Sequence, residues 1–418
     1  MDRIEGGVCA PKGFKAGGVW CGIRKNKGKR DLALIVSDVS CSAAGMYTTN
    51  KVKAASVLVT RENLASGRAR AVICNSGNAN ACTGEPGLAA ARRMALLAAE
   101  RIGCAVSEVA VGSTGVIGVP LPIAAVESGI DALFASLSAD ASGHDAALEA
   151  IMTTDTRKKE IAVEFELGGR KARIGAMAKG AGMIHPNMAT MLSWVTTDAA
   201  IAPGPLDAAL RAAVGRSFNR VTVDGDTSTN DCVVALANGR AGNAQIASAS
   251  GSDWASFAAA LEEVLVYLAR AIARDGEGAT RLVACTVSGA ASETDAETLA
   301  KAVVGSSLVK AACFGADANW GRILCAMGYS GADFDPETVD VRFRSAAGVV
   351  EVCAAGASIP FSEETAKKVL SEEEIEIVVD LRAGAGKSRG AGQGAGSATA
   401  WGCDLTYDYV KINGDYRS

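Results

Sequence analysis

The sequence predicts a mixed α/β fold built from more than one domain, on three observations. At 418 residues the chain is longer than one hydrophobic core usually serves, and splits into about two or three domains. Short runs rich in β-branched residues alternate with longer runs whose apolar residues recur at helical spacing. The composition is 49% hydrophobic and only 5% aromatic, with 47 glycines, which describes cores of Ala, Val and Leu joined by many tight turns.

In chain order, strand patterns are DLALIVS from Asp31, SVLVT from Ser56, RAVIC from Arg70, VAVGS from Val109, IAVEFEL from Ile161 and KARIGAMA from Lys171. Between them, residues 86–102 place Leu88, Ala91, Ala95 and Ile102 near one helical face, open with proline in the first turn and stop at Gly103. Residues 121–137, 205–217 and 253–274 read the same way, and the stripe Trp254, Phe257, Leu261, Leu265, Leu268 and Ile272 reads as core. Strand patterns return at RLVACTVS from Arg281, VDVRFR from Val339 and EIEIVVDL from Glu374. A boundary near residue 280 then gives domains 1–280 and 281–418. No internal repeat is visible.

Charge and residue counts remove several function classes. Lys plus Arg number 42 against 46 Asp plus Glu, a net charge of −4 that is not a nucleic-acid binder's balance. The basic run RKNKGKR at 24–30 reads as a solvated hairpin turn. The start MDRIEGGVCAPKGF lacks an apolar leader, and no apolar run approaches the roughly 18 residues of a membrane span, so a soluble, cytoplasmic protein with no membrane partner is expected. Twelve cysteines, scattered without any C-x-x-C pair, read as reduced and mostly buried thiols. With His144 and His185 as the whole histidine complement, a His-rich metal site cannot be built, and a Ser-His-Asp triad would have to use one of those rings. His144 in GHDAAL reads as a surface residue and His185 in MIHPNM as a loop residue.

Two motifs tempt. RAGAGKSRGAGQGAGSATA contains GKS, but Leu381 stands where a phosphate-binding loop needs its first glycine, so a flexible glycine-rich connection is expected there. VTVDGDTSTND at 221–231 reads as an apolar strand ending in Asp-x-Asp, the pattern of haloacid-dehalogenase-type phosphatases, but polar residues follow it and the carboxylates can equally organise a turn. The most informative stretch is AKGAGMIHPNMATMLSWVTTDAA at 178–200, where glycines and a proline set a constrained turn before a strand pattern beginning at Thr190.

The ordered segments NSGNANACTG from Asn75, GSTGVIG from Gly112, MTTDT from Met152, KGAGMIHPNMATML from Lys179, DGDTSTND from Asp224, GEGAT from Gly276, ANWGRI from Ala318 and the ending WGCDLTYDYVKINGDYRS resemble a known family along the whole chain. It is the ornithine acetyltransferases, or glutamate N-acetyltransferases, of the cyclic arginine pathway. The resemblance implies that the precursor cuts its own Ala189–Thr190 bond, leaving α and β chains that stay associated, as a pair of αβ units in an α2β2 heterotetramer. It also implies stacked helix-sheet-sheet-helix layers in the main domain and a smaller C-terminal α/β domain whose tail returns to the active site.

By the same resemblance Thr190 is the nucleophile. Its hydroxyl needs a base, and its own new α-amine, with a reference pKa of about 7.7 to 8.0, can serve without histidine. Thr190 Oγ would attack the acetyl carbonyl of N-acetylornithine, release ornithine, and pass the acetyl group to glutamate in a ping-pong transfer. The family's oxyanion donors fall on Thr114 and Gly115, each worth on the order of 100- to 1000-fold in rate. Its substrate contacts fall on Thr153, Lys179, Thr190, Glu277, Asn413 and Ser418. Lys179 would pair with the substrate α-carboxylate, Glu277 would face its ammonium, and the Ser418 carboxylate would help hold its charged end. No cofactor or metal is implied, and acetyl-CoA use as a co-substrate stays open.

Departures from the family are small: the ending reads Asn-Gly-Asp-Tyr-Arg-Ser in place of Asn-Ala-Asp-Tyr-Arg-Thr, and Ala181 stands where many members have serine. Two other readings remain at this point. One is a self-processing aminopeptidase or amidohydrolase in which water resolves the acyl-enzyme; the other is a catalytically silent binding protein.

Overall fold

A computed structural model of the chain describes residues 1–185, 191–381 and 396–415. They divide into two compact units, the first holding residues 1–219 and 226–268, the second residues 220–225 and the described residues from 269 on.

The first unit contains β1 (Asp2–Ile4), β2 (Phe14–Val19), β3 (Leu32–Tyr47), α1 (Ala55–Asn63), β4 (Arg68–Asn78), α2 (Gly84–Ile102), β5 (Val109–Val116), α3 (Ile123–Ala135), α4 (Ala141–Ile151), β6 (Lys159–Leu167), β7 (Arg170–Lys179), β8 (Leu192–Thr197), α5 (Pro203–Arg216) and β9 (Cys232–Ala237). It also holds most of α6 (Ser252–Arg274). Its strands run in the order β1-β6-β7-β8-β9-β3-β4-β5, with β2 added beside β3. The long strand β3 turns the sheet: its first half pairs with β2 and β4, its second half with β9, and the register with β4 shifts between Val36 and Cys41. The two halves therefore face each other. A Cβ on Gly112 of β5 would lie 2.6 Å from the indole of Trp194 on β8.

Strand alternation then sorts side chains into two cores. Ala33, Ile35, Val72, Cys74 and Ala110 join Met177, Trp194 and Val234 between the sheet halves. Their neighbours Leu32, Leu34, Ala71, Ile73, Val109 and Val111 pack outward against α1, α2 and α3. The helix expected at 86–102 is α2, and Gly103 ends it with φ +70°, a left-handed cap that glycine adopts without strain. The basic run at 24–30 lies in the connection between β2 and β3, which pair antiparallel as a hairpin.

Three sequence expectations are corrected. SVLVT is part of helix α1, not a strand. Its β-branched residues favour extended backbone, but Val59 buries against α2 and β5, and the Thr60 hydroxyl accepts the Val111 N–H at 2.6 Å while donating to the Val111 carbonyl at 2.8 Å. Tertiary burial overrides local preference there. His144 is 1% exposed rather than on the surface: it shares the inner face of α4 with Ala147, Leu148 and Ile151, at helical spacing, and its Nδ1 accepts the Val8 N–H at 3.1 Å. Residues 221–227 form no strand and make only single bridges, Val221 with Trp401 and Thr227 with Ile184. The phosphatase-type strand is therefore missing. His185 lies in a loop, as read, and its carbonyl accepts the Thr227 hydroxyl at 2.8 Å.

The second unit contains β10 (Leu282–Ala290), α7 (Glu293–Gly305), α8 (Ser307–Phe314), α9 (Trp320–Gly328), β11 (Asp340–Ser345), β12 (Gly348–Ala354), β13 (Ala357–Ser358), α10 (Glu363–Leu370), β14 (Glu374–Asp380), β15 (Gly396–Cys403) and α11 (Tyr407–Asp415). Its sheet runs β13-β12-β11-β14-β10-β15, with only β10 and β14 parallel. Val283, Cys285, Phe343, Ile377 and Ala400 bury against the helices. The other face carries polar residues, with the Thr286 hydroxyl donating to Glu376 Oε1 at 2.9 Å.

All twelve cysteines are free thiols, eight of them buried, and burial pushes Cys9 and Cys41 up to about 12. Among the described residues no helix is long and apolar enough to cross a membrane. The glycine-rich stretch at 382–395 lies outside the described residues.

Candidate active site

Strands β4 and β5 run parallel, and where they end an asparagine network fixes the loop that follows. Asn75 Nδ2 donates to the Asn78 carbonyl at 2.9 Å, and the Ser113 hydroxyl donates to Asn75 Oδ1 at 2.7 Å. Asn78 Nδ2 reaches the carbonyls of Val119 and Pro120. From the other sheet half, Asn230 Nδ2 donates to the carbonyls of Ala79 at 2.6 Å and Ser113 at 2.7 Å. All three asparagine side chains are buried, so each amide replaces water for a backbone group that would otherwise be unpaired. The sequence carried the signal, an Asn-rich NSGNANACTG and the Asn of DGDTSTND, but no role followed from composition.

This network holds Thr114 and Gly115. Gly115 has φ +132° and sits so close to β4 that a Cβ would lie 2.4 Å from the Gly77 carbonyl carbon, so only glycine fits. Thr114 is 8% exposed, and its Oγ1 accepts from Lys179 Nζ at 3.3 Å. The oxygen thus has a cationic donor, and the hydroxyl hydrogen is left to point at another acceptor. Lys179 is the last residue of β7, itself 9% exposed.

Two buried carboxylates flank Lys179. Asp155, in the MTTDT turn, has a fully buried side chain. Its Oδ2 accepts the Thr153 N–H at 2.9 Å; its Oδ1 accepts the Gly180 N–H at 2.6 Å and Lys159 Nζ at 2.7 Å. Burial alone would raise its pKa, but the charges of Lys179 and Lys159 and the hydrogen bonds from Lys159 and Gly180 outweigh that and hold the carboxyl well below the usual carboxylate range. Asp231, just before β9, is the opposite. Burial pushes its carboxyl well above the usual range against hydrogen bonds from Ser228 and the charge of Lys179, and its Oδ2 has no hydrogen-bond partner among the described residues.

The structure thus brings Thr114 to Lys179 and ties Thr153 to the residue after Lys179 through Asp155. Within the second unit it brings together Glu277 and Asn413: Asn413 Nδ2 donates to Glu277 Oε2 at 2.9 Å, and the Thr406 hydroxyl donates to the Gly278 carbonyl at 2.7 Å. The GEGAT segment and helix α11 therefore meet locally. Ala189, Thr190 and Ser418 lie outside the described residues. Among the described residues, His144, Asp145 and Glu160 come close enough to share a metal ion. There His144 Nδ1 already accepts the Val8 N–H, which leaves Nε2 as the protonated nitrogen facing Glu160, and Asp145 accepts Lys158 Nζ at 2.6 Å. With Nδ1 taken by the Val8 N–H, the histidine has no lone pair to spare for a metal ion.

Comparison with known proteins agrees with the motif series. The chain is 55% identical to the arginine biosynthesis bifunctional protein ArgJ of Symbiobacterium thermophilum over the full length of both. It is 50% identical to the protein of the same name from Caldanaerobacter subterraneus, again over both full lengths. A crystal structure of ornithine acetyltransferase with ornithine from Mycobacterium tuberculosis is 41% identical, covering 44% of this chain and 98% of that one, with a TM-score of 0.42. The ArgJ family model matches residues 15–418, and the chain belongs to the ArgJ family.

Proposed function

We propose that this chain is an acetyltransferase of arginine biosynthesis, moving the acetyl group of N-acetylornithine to glutamate through an acetyl-threonine on Thr190. The observation that carries the reading is the Thr114–Gly115 corner. A hydroxyl whose oxygen accepts from a buried ammonium, beside a glycine held against neighbouring backbone, is a rigid donor pair for a developing oxyanion. Its rigidity comes from the Asn75, Asn78 and Asn230 network, so no reorganisation is needed when negative charge appears.

In this reading the chain cleaves between Ala189 and Thr190, and the freed α-amine takes the Thr190 hydroxyl proton. Thr190 Oγ attacks the acetyl carbonyl, and Thr114 and Gly115 stabilise the tetrahedral oxyanion. Ornithine leaves, and glutamate's amine attacks the ester through a second such intermediate. Thr153, Lys179, Glu277, Asn413 and the Ser418 carboxylate would hold the amino-acid substrate, with an α2β2 assembly in the cytoplasm. No cofactor is required, and acetyl-CoA use would make the enzyme bifunctional, as the relatives' names have it. Full-length identity to arginine-biosynthetic relatives favours transfer to glutamate over hydrolysis by water.

Intact mass and N-terminal sequencing of the protein beside Thr190→Ala test the reading. Two wild-type fragments, one beginning at Thr190, an uncut variant, and acetylglutamate formed from N-acetylornithine and glutamate are expected. A full-length wild-type chain, or release of acetate without transfer, would overturn it.

A further inference from the structure

We propose that Asp155 and Lys159 form a positioning pair that sets the spacing of Thr153 and Lys179 and thereby governs substrate affinity. The inference rests on the functional reading above and adds two residues that the motif resemblance does not assign. Both side chains are fully buried, and both Asp155 oxygens are engaged. One oxygen holds the Thr153 N–H; the other holds the Gly180 N–H, directly after Lys179. A single carboxylate therefore ties the turn after α4 to the end of β7, while Lys159, the first residue of β6, supplies the counter-charge.

The β6–β7 ladder already pairs Lys159 with Ala178, so the sheet by itself places the β7 end. What the ladder does not place is the 153–155 turn, and the carboxylate does that by hydrogen-bonding across it. An apolar core residue would fill the same space without fixing that spacing, since a buried ion pair adds geometric specificity more than stability. Neither residue hydrogen-bonds Thr114; Lys179 does, from the β7 end that the sheet places.

The test uses the self-cleaved enzyme. Asp155→Asn alone strands a buried ammonium, so the informative variant is Asp155→Asn with Lys159→Met, which removes both charges. With wild-type cleavage, the pair variant is expected to raise KM for N-acetylornithine about tenfold or more, the worth of lost hydrogen bonds to a charged group, with kcat within about threefold. A KM within about twofold of wild type overturns the proposal. So does a fall in kcat at unchanged KM, or failure to cleave, because each places the pair in the chemistry instead. Should the double variant not fold, Lys159→Gln decides. It keeps the carboxylate and weakens its anchoring, and must raise KM by an intermediate factor; no rise overturns the proposal. Wild-type enzyme that transfers no acetyl group would instead remove the functional reading on which the pair depends.

Discussion

Asp155 and Asp231 are both buried carboxylates beside Lys179, and their surroundings push the first below the usual carboxylate range and the second above it. Burial penalises charge equally in both places; the donors differ. Asp155 receives two backbone N–H groups and a lysine ammonium, with a second lysine charge nearby, whereas Asp231 has hydrogen bonds only from Ser228 and one oxygen with none. The two carboxylates beside Lys179 are thus shifted in opposite directions by their surroundings. Lys179 Nζ meanwhile donates to Thr114 Oγ1 at 3.3 Å.

The largest test of this contrast is Asp155→Asn as a single change. It leaves the Lys159 ammonium buried without its partner, and a loss of about 3–5 kcal/mol in unfolding free energy is expected by chemical denaturation, part of it regained when Lys159→Met is added, since Lys179 still lacks the carboxylate. Retention of wild-type stability by the single variant would mean that water reaches the pair. Next, Thr114→Val keeps the side chain's shape and removes both the proposed oxyanion donor and the Lys179 acceptor. It is expected to fold, and to lose on the order of 100- to 1000-fold in kcat in a steady-state transfer assay.

Asp231→Asn should be far gentler, because an amide resembles the protonated acid. Unfolding free energy near neutral pH is expected to be unchanged or to rise, within about 1 kcal/mol. The sign of its pH dependence follows from the raised pKa. The folded state binds this proton more tightly than the unfolded chain, so the contribution of Asp231 is fully present below the ordinary carboxylate value of about 3.9 and declines as pH rises toward its raised folded value. Melting temperatures from about pH 5 upward should fall less steeply in Asp231→Asn than in wild type, and identical slopes would break the contrast. Asp155 behaves in reverse: its contribution is present above about 3.9 and is lost only as pH falls toward its lowered folded value, so it shows in acid denaturation. Smallest of all, Asn413→Ala removes an exposed hydrogen bond to Glu277 and should change unfolding free energy by no more than about 0.5 kcal/mol, with any substrate role appearing in KM alone.

Much of the fold was legible because long apolar stripes and alternating strands carry their own periodicity. The helix at 86–102 stopped at its glycine, and the strands from Asp31, Arg70, Val109, Ile161 and Lys171 formed. What misled were short segments whose partners lie far away. SVLVT has the composition of a strand, and only contacts with α2 and β5 make it a helix; GHDAAL looks solvated, and only the Val8 backbone and the packing of α4 bury His144. The candidate site divides in the same way. Thr114, Gly115, Thr153, Lys179, Glu277 and Asn413 came from motif order, while Asp155, Asp231 and the three buried asparagines did not, since an Asp or Asn in a loop motif looks the same whether it caps a turn or anchors a site.

By itself, then, the sequence determined the family: eight motifs in order carry the resemblance, and the self-supplied base and acyl-threonine are what that resemblance implies. Which carboxylate is shifted down and which up, which backbone approaches which, and what ties Thr153 to the end of β7 were decided only by the tertiary structure. The physical reason is that ionisation and hydrogen bonding depend on what surrounds a group in space: the β6-β7-β8-β9 ladder gathers residues 155, 179 and 231, and residue 114 joins them from the sheet half beyond β3.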